Sequence, residues 1–101
     1  GVTFKENCSD IRNSRVIDLI KEFKKICDHV LVHDYYADPD ELKKYYSIEL
    51  KGNLNHKYDI AVLAVAHDNY LKIDFSKLMN INHVLYDVKS VLPKNIITLR
   101  L

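Results

Sequence analysis

The chain has 101 residues, 48% of them hydrophobic, and 15 Lys and Arg against 14 Asp and Glu give a net charge of +1. This length fits one domain with a real core and leaves no room for a second. The balanced charge lacks the basic footprint of a nucleic-acid binder. No apolar run is long enough to cross a bilayer and nothing is typical of a signal peptide. We therefore expect a cytoplasmic protein with no nucleic-acid or membrane partner.

The cysteines and histidines indicate neither a disulfide framework nor a metal site. Cys8 and Cys27 do not form a CxxC pair, and disulfide-stabilised domains of this size normally use more cysteines. None of the five histidines stands at ligand spacing from a cysteine or a carboxylate. We expect two reduced thiols and no bound metal.

Two helices are predicted in the first half of the chain. Residues 15–28 place apolar side chains on one face at helical spacing and charged side chains on the other, with Asn13 or Ser14 as the cap. A second helix is predicted from Asp38-Pro39 to about residue 46, because aspartate caps helices well and proline suits the first helical position. Between 66 and 79 only short helical pieces are expected.

Apolar runs that alternate with these helices predict strands of one sheet. The runs are 29–33, which stops at Asp34, then 60–65, 83–87 and 96–101. The alternation indicates an α/β fold with a three-layer, mostly parallel, Rossmann-like sheet. We expect 60–65 to be a central strand beside a truncated first strand at 1–4. The direction of the last strand stays open, because the connection before it is short for a parallel crossover.

Ligands of open parallel sheets bind beyond the carboxyl ends of the strands. Three segments should meet there, namely the loop 4–14, the stretch after Val65 and the stretch after Asp87. The loop contains Lys5 and leads into a helix N-terminus, and the third segment contains Lys89. Two lysines and a helix end could hold a diphosphate. The alternative is a pair of solvated surface lysines.

Other candidate residues are weaker. The chain has no GxGxxG or GxxxxGK[ST] motif, so neither dinucleotide binding nor P-loop binding is supported. Asp34 ends a strand where Rossmann domains place a ribose-binding carboxylate, but an aspartate that forms a turn or caps a helix is the favoured interpretation. Cys8 is interpreted as a plain loop thiol, since the nearby Asp10 would oppose a lowered thiol pKa.

Residues 1–14, GVTFKENCSDIRNS, resemble the opening of the C-terminal domain of UDP-glucose/GDP-mannose dehydrogenases. Shorter similarities follow in order: Asp34 with Ala37-Asp38-Pro39, Ala64-Val-Ala-His-Asp68, Asp87-Val-Lys89 with Val91-Leu92-Pro93, and Arg100-Leu101. The first segment is long and specific. The others are weak alone, but their order and spacing extend the resemblance over the whole chain.

The resemblance implies a fragment of a three-part enzyme. In this family an N-terminal Rossmann domain binds NAD, a central helical region carries the catalytic cysteine and forms the dimer, and the C-terminal domain holds the UDP moiety. The family oxidises the sugar C6 alcohol to a carboxylate through a thioester, with two NAD. The implied role is one step of surface polysaccharide synthesis, with no catalytic residue in this chain.

The resemblance also implies the site residues. Phe4 and Lys5 match family positions that contact the nucleotide and its diphosphate, and Lys89 matches a basic position near the substrate. Asp10 and Arg12 match a pair that we expect to hold the loop. The sequence resembles the UDP-N-acetylhexosamine (GlcNAc or GalNAc) branch more than the UDP-glucose branch at Glu6-Asn7-Cys8, Ala66-His67 and Lys89.

Three positions depart from the family pattern. Ser9 stands where proline is frequent, Ser90 where glycine is frequent and Tyr70 where phenylalanine is common. The alternative function is a flavodoxin-like or receiver-like interaction domain with no substrate. A receiver would need a lone aspartate after its central strand, whereas Ala66 and His67 occupy that place, so the dehydrogenase domain is favoured.

Overall fold

Residues 1–100 are described by a computed structural model, which confirms both predicted helices. Helix α1 spans Val16–Ile26 and helix α2 spans Pro39–Tyr46. No helix within residues 1–100 is long and apolar enough to cross a membrane. The carboxylate of Asp38 accepts the backbone N–H groups of Asp40 at 2.8 Å and Glu41 at 3.4 Å. The predicted cap of α2 is therefore confirmed.

Of the two residues predicted to cap α1, Ser14 makes a capping bond from just before the cap position. The cap position is Arg15, whose side chain makes no capping bond, and Asn13 instead adopts a left-handed φ of 59°. The Ser14 hydroxyl donates to the Val2 carbonyl at 2.8 Å and accepts the Val16 N–H at 3.3 Å. Ser14 therefore ties the first turn of α1 to the N-terminal segment.

Within residues 1–100 the sheet has three parallel strands in the order β1–β2–β3. They are β1, Tyr58–Leu63; β2, Met79–Asp87; and β3, Leu99–Arg100. Leu63 lies opposite Asp87, and Leu99 lies opposite Tyr86. The predicted parallel α/β class is confirmed, and the last strand proves to be parallel. Of the range 96–101 predicted for it, Leu101 lies outside the described residues.

Three strand predictions were wrong. β2 is the middle strand and β1 lies at an edge of the described sheet, so the run 60–65 is not central. The run 29–33 contributes a single isolated bridge, from Val32 to Leu50, and 1–4 forms no strand in the described structure. Within the described residues β1 pairs only with β2, so neither segment takes part in a ladder with it.

The apolar core is divided into two clusters, one in each half of the chain. The first consists of Val2, Ile11, Ile17, Ile20, Val32, Ala37, Leu42 and Ile48. The second consists of Leu63, Ala66, Tyr70, Phe75, Leu85 and Leu92. Between the halves lies the groove, of about 700 Å³, whose walls include the apolar face of α1 and the strand β1.

A buried carboxylate, Asp34, links the two halves. Its Oδ1 accepts the N–H groups of Tyr36 at 2.7 Å and Ala37 at 2.9 Å, while Oδ2 accepts the Val2 N–H at 2.7 Å and lies 2.9 Å from His67 Nε2. Burial would raise the pKa of Asp34, but these hydrogen bonds outweigh burial and lower it. The turn-forming interpretation is confirmed. The ribose-binding alternative is wrong, because both oxygens are buried and engaged.

We expect Asp34→Asn to lower the free energy of unfolding by about 2–3 kcal/mol at pH 7, because an amide NH₂ would face buried N–H donors. Since the folded pKa of Asp34 lies below its unfolded value, its stabilisation is complete above about pH 4 and is lost as the pH falls through the folded pKa. Urea unfolding of both proteins across this range measures the effect. Asp28→Asn, at an exposed position, is the control. A gap between wild type and Asp34→Asn that stays constant down to pH 3 would contradict the expectation.

Candidate functional site

The loop 4–14 closes on itself through Asp10. The Phe4 N–H donates to the Asp10 carbonyl at 2.7 Å. Arg12 donates to the Asp10 carboxylate from its backbone N–H at 2.9 Å and from Nε and Nη2, both at 3.0 Å. The side-chain hydrogen bond from Arg12 is the main reason that the pKa of Asp10 lies below its ordinary value. These contacts join the start of the loop to its middle.

Phe4 and Lys5 stand exposed at the start of this loop. Phe4 is 55% exposed. The Thr3 hydroxyl donates to the Lys5 carbonyl at 3.0 Å and so holds the backbone that carries the lysine. An aromatic face beside an ammonium group can offer one ligand both a stacking surface and a positive charge.

Lys89 lies in the turn that follows β2 and reaches the same loop. Its Nζ is 3.8 Å from Glu6 Oε1, and Glu6 directly follows Lys5 in the chain. The Ser90 N–H donates to the Asp87 carbonyl at 3.4 Å, and Ser90 adopts a left-handed φ of 58°. Glycine adopts this conformation without strain and would suit this position.

Asp87 holds the turn that presents Lys89. Its side chain is fully buried, and Oδ2 accepts the Leu92 N–H at 2.8 Å. Arg100 donates from Nη2 to the Leu92 carbonyl at 3.0 Å, and the same nitrogen lies 4.0 Å from Asp87 Oδ2. The turn is thus tied to the end of β2 and to β3.

His67 is fully buried and makes polar contacts with Asn7, Thr3 and Asp34. Its Nδ1 accepts the Asn7 N–H at 2.8 Å, while Nε2 lies 2.9 Å from Asp34 Oδ2 and 3.2 Å from Thr3 Oγ1. Because an amide N–H can only donate, this geometry assigns the imidazole proton to Nε2 and makes the ring neutral. Asn7 adopts a left-handed φ of 57°, and its side-chain oxygen accepts the Asp68 N–H at 2.9 Å.

A tyrosine hydroxyl makes another contact between the two halves. Tyr70 is buried, and its hydroxyl donates to the His33 carbonyl at 2.8 Å, with His33 Nδ1 also at 2.8 Å from it. Burial raises the pKa of Tyr70, so the phenol stays protonated. The departure from phenylalanine at position 70 therefore has a local reason in this chain.

Sequence reasoning missed the contacts of Glu6 and His67. The available signal for His67 was a polar residue directly after an apolar run, where the carboxyl edge of a parallel sheet is expected. The expected free helix end is partly occupied, because Ser14 accepts the first N–H of α1. Cys8 is a half-buried free thiol whose sulfur accepts the Asp10 N–H at 3.4 Å.

Comparison with known proteins gives consistent matches. The model of the UDP-glucose/GDP-mannose dehydrogenase family, UDP binding domain, matches residues 1–94. UDP-N-acetyl-D-glucosamine 6-dehydrogenase from Salmonella typhi is 39% identical over 100 residues, covering 92% of this chain and 23% of that protein. The protein of the same name from Pseudomonas aeruginosa is 37% identical over 105 residues, with coverages of 100% and 25%. Protein CapL from Staphylococcus aureus is 37% identical over 95 residues, with coverages of 91% and 22%.

The chain spans about a quarter of the length of these curated relatives. The family match includes the loop 4–14, His67 and Lys89. In the structure the loop contacts both His67 and Lys89, which follow the carboxyl ends of the parallel strands β1 and β2. Nothing in the matches supports a flavodoxin-like or receiver-like interaction domain. The chain belongs to the UDP-glucose/GDP-mannose dehydrogenase family, of which it represents the UDP binding domain.

Proposed function

We propose that this chain is the UDP-binding, C-terminal domain of a longer NAD-dependent enzyme that oxidises the C6 alcohol of a UDP-N-acetylhexosamine to a carboxylate. The names of two relatives and the matched family model support this reaction class. NAD and the catalytic cysteine belong to the other parts of the enzyme. We further infer a cytoplasmic homodimer whose product is used in surface polysaccharide synthesis.

The observation that supports the site most strongly is the contact between Lys89 and Glu6, which brings the turn after β2 together with the loop 4–14. We assign the diphosphate to Lys5 and Lys89, and the base to the exposed face of Phe4. Asp10 and Arg12 hold the loop in this assignment. The ammonium groups supply charge-assisted hydrogen bonds to phosphate oxygens. Glu6 lies against the same ammonium group, which has three N–H donors and can also bond a phosphate oxygen.

The remaining parts of the same enzyme are the proposed partners. The groove between the two halves has an apolar lining that includes Leu19, Phe23 and Val62, all of them only half-buried. The outer edge of β1 also borders this groove, and an unpaired strand edge readily accepts another strand. A further segment of the full-length enzyme that lies in the groove would bury both surfaces.

We expect Lys5→Ala to weaken UDP binding by the full-length enzyme about 10-fold to 100-fold, because a charge-assisted bond to phosphate contributes about 1.5–3 kcal/mol. Calorimetric titration with UDP measures the change. Lys21→Ala is the matched control, since Lys21 is exposed on the polar face of α1. A loss smaller than twofold for Lys5→Ala would argue against the assigned role.

We expect the 101-residue chain alone to bind UDP only at about millimolar concentration and to form no NADH. The rest of the enzyme supplies the other half of the pocket, and losing a few kcal/mol moves a micromolar site towards millimolar. Hydride transfer also needs a bound nicotinamide, and the thioester needs an activated cysteine. NADH absorbance with a panel of UDP-sugars tests the chemistry, and thermal shifts with UDP and FMN test binding. Steady NADH formation, or a shift with FMN alone, would overturn the proposal.

A further inference from the structure

We propose that His67 positions the nucleotide-binding loop by accepting the Asn7 N–H through Nδ1, without touching the ligand itself. This inference rests on the proposed UDP-binding function, because the loop concerned is the one that carries Phe4 and Lys5. His67 is therefore a positioning residue, and its effect should appear in nucleotide affinity.

The two nitrogens of the His67 ring have separate tasks. Nε2 donates to Asp34, whose other oxygen is occupied by the N–H groups of Tyr36 and Ala37. Asp34 is thereby held in one orientation and offers a single direction for the imidazole. With Nε2 so engaged, Nδ1 is left as an acceptor that points at the loop, where it receives the Asn7 N–H at 2.8 Å.

The ring plane is also determined by its neighbours. The Tyr70 ring stacks on the imidazole with centroids 5.9 Å apart, and the Tyr36 ring packs against it at 4.6 Å. Since His67 is 0% exposed, water does not compete for Nδ1. A rigid acceptor in a dry site imposes a precise position on the backbone that donates to it.

The hydrogen bonds around His67 hold the loop backbone on both sides of Phe4 and Lys5, the proposed ligand residues. Before them, Thr3 Oγ1 contacts His67 Nε2 at 3.2 Å and donates to the Lys5 carbonyl. After them, Asn7 donates its N–H to His67 and accepts the Asp68 N–H through its side chain. Lys5, which is exposed, and Glu6, which contacts Lys89, lie between these two attachments. The origin and direction of the Lys5 side chain thus depend on His67.

Two substitutions separate the two nitrogens. In His67→Asn the amide oxygen can replace Nδ1 and still accept the Asn7 N–H, but the contact with Asp34 is lost. In His67→Gln the amide nitrogen can replace Nε2 and still donate to Asp34, but the acceptor for Asn7 is lost. A role confined to stability would make affinity follow the stability of each variant. If His67 positions the loop, UDP affinity depends instead on whether the variant keeps an acceptor in place of Nδ1.

The experiment measures the UDP dissociation constant, kcat, KM and melting temperature of the full-length enzyme. We expect His67→Gln to weaken UDP binding about tenfold and to raise KM similarly, with kcat changed less than twofold. We expect His67→Asn to bind UDP within about threefold of wild type, even where its melting temperature is the lower of the two. The same two changes at His83, which is exposed on β2, are the matched controls and should leave all four values unchanged.

The outcomes distinguish this inference from the function on which it rests. If wild type binds UDP and Lys5→Ala weakens it, but His67→Gln binds UDP as wild type does, only the positioning role is overturned. Equal losses of affinity in His67→Gln and His67→Asn would also overturn it. If His67→Gln does not fold, the affinity of His67→Asn alone decides, with a loss above tenfold counting against the role. If neither variant folds, His67 serves stability and the proposal fails.

Discussion

The hydrogen bond between Asp34 and His67 is the interaction on which the arrangement of this domain depends. Each half of the chain has its own apolar cluster, and this pair joins the halves together with the Tyr70 hydroxyl, which donates to the His33 carbonyl. Leaving either side chain buried without its partner costs about 1–3 kcal/mol, so the pair strongly favours one mutual placement. The same imidazole also accepts the Asn7 N–H and so contacts the loop that carries Lys5.

The helices could be predicted because their signals are local. Apolar spacing defines α1, and the Asp38-Pro39 pair defines the start of α2. The sheet depends on non-local pairing, and here the prediction was partly wrong. The run 29–33 has the β-branched residues of a strand, but a strand also needs a paired neighbour, and in the described structure this run makes only the single bridge from Val32 to Leu50. No local pattern states which of two apolar runs is central.

The site divides in the same way. Phe4, Lys5 and Lys89 could be named as site residues from the family resemblance, and their roles stay predictions. His67 and its partners were not, because their contacts join residues 33 and 60 positions apart in the chain. Ser90 shows that a departure from the family pattern can be understood only once backbone conformation is known. Its left-handed φ of 58° could not be predicted from the sequence alone.

The central claim is that two lysines from distant segments hold the same diphosphate. The most direct measurement is the preference of the full-length enzyme for UDP over uridine, compared between wild type and a Lys5→Ala/Lys89→Ala double variant. The account predicts a strong preference in wild type that largely disappears in the double variant, while uridine binding changes little. An undiminished preference for UDP in the double variant would contradict the account.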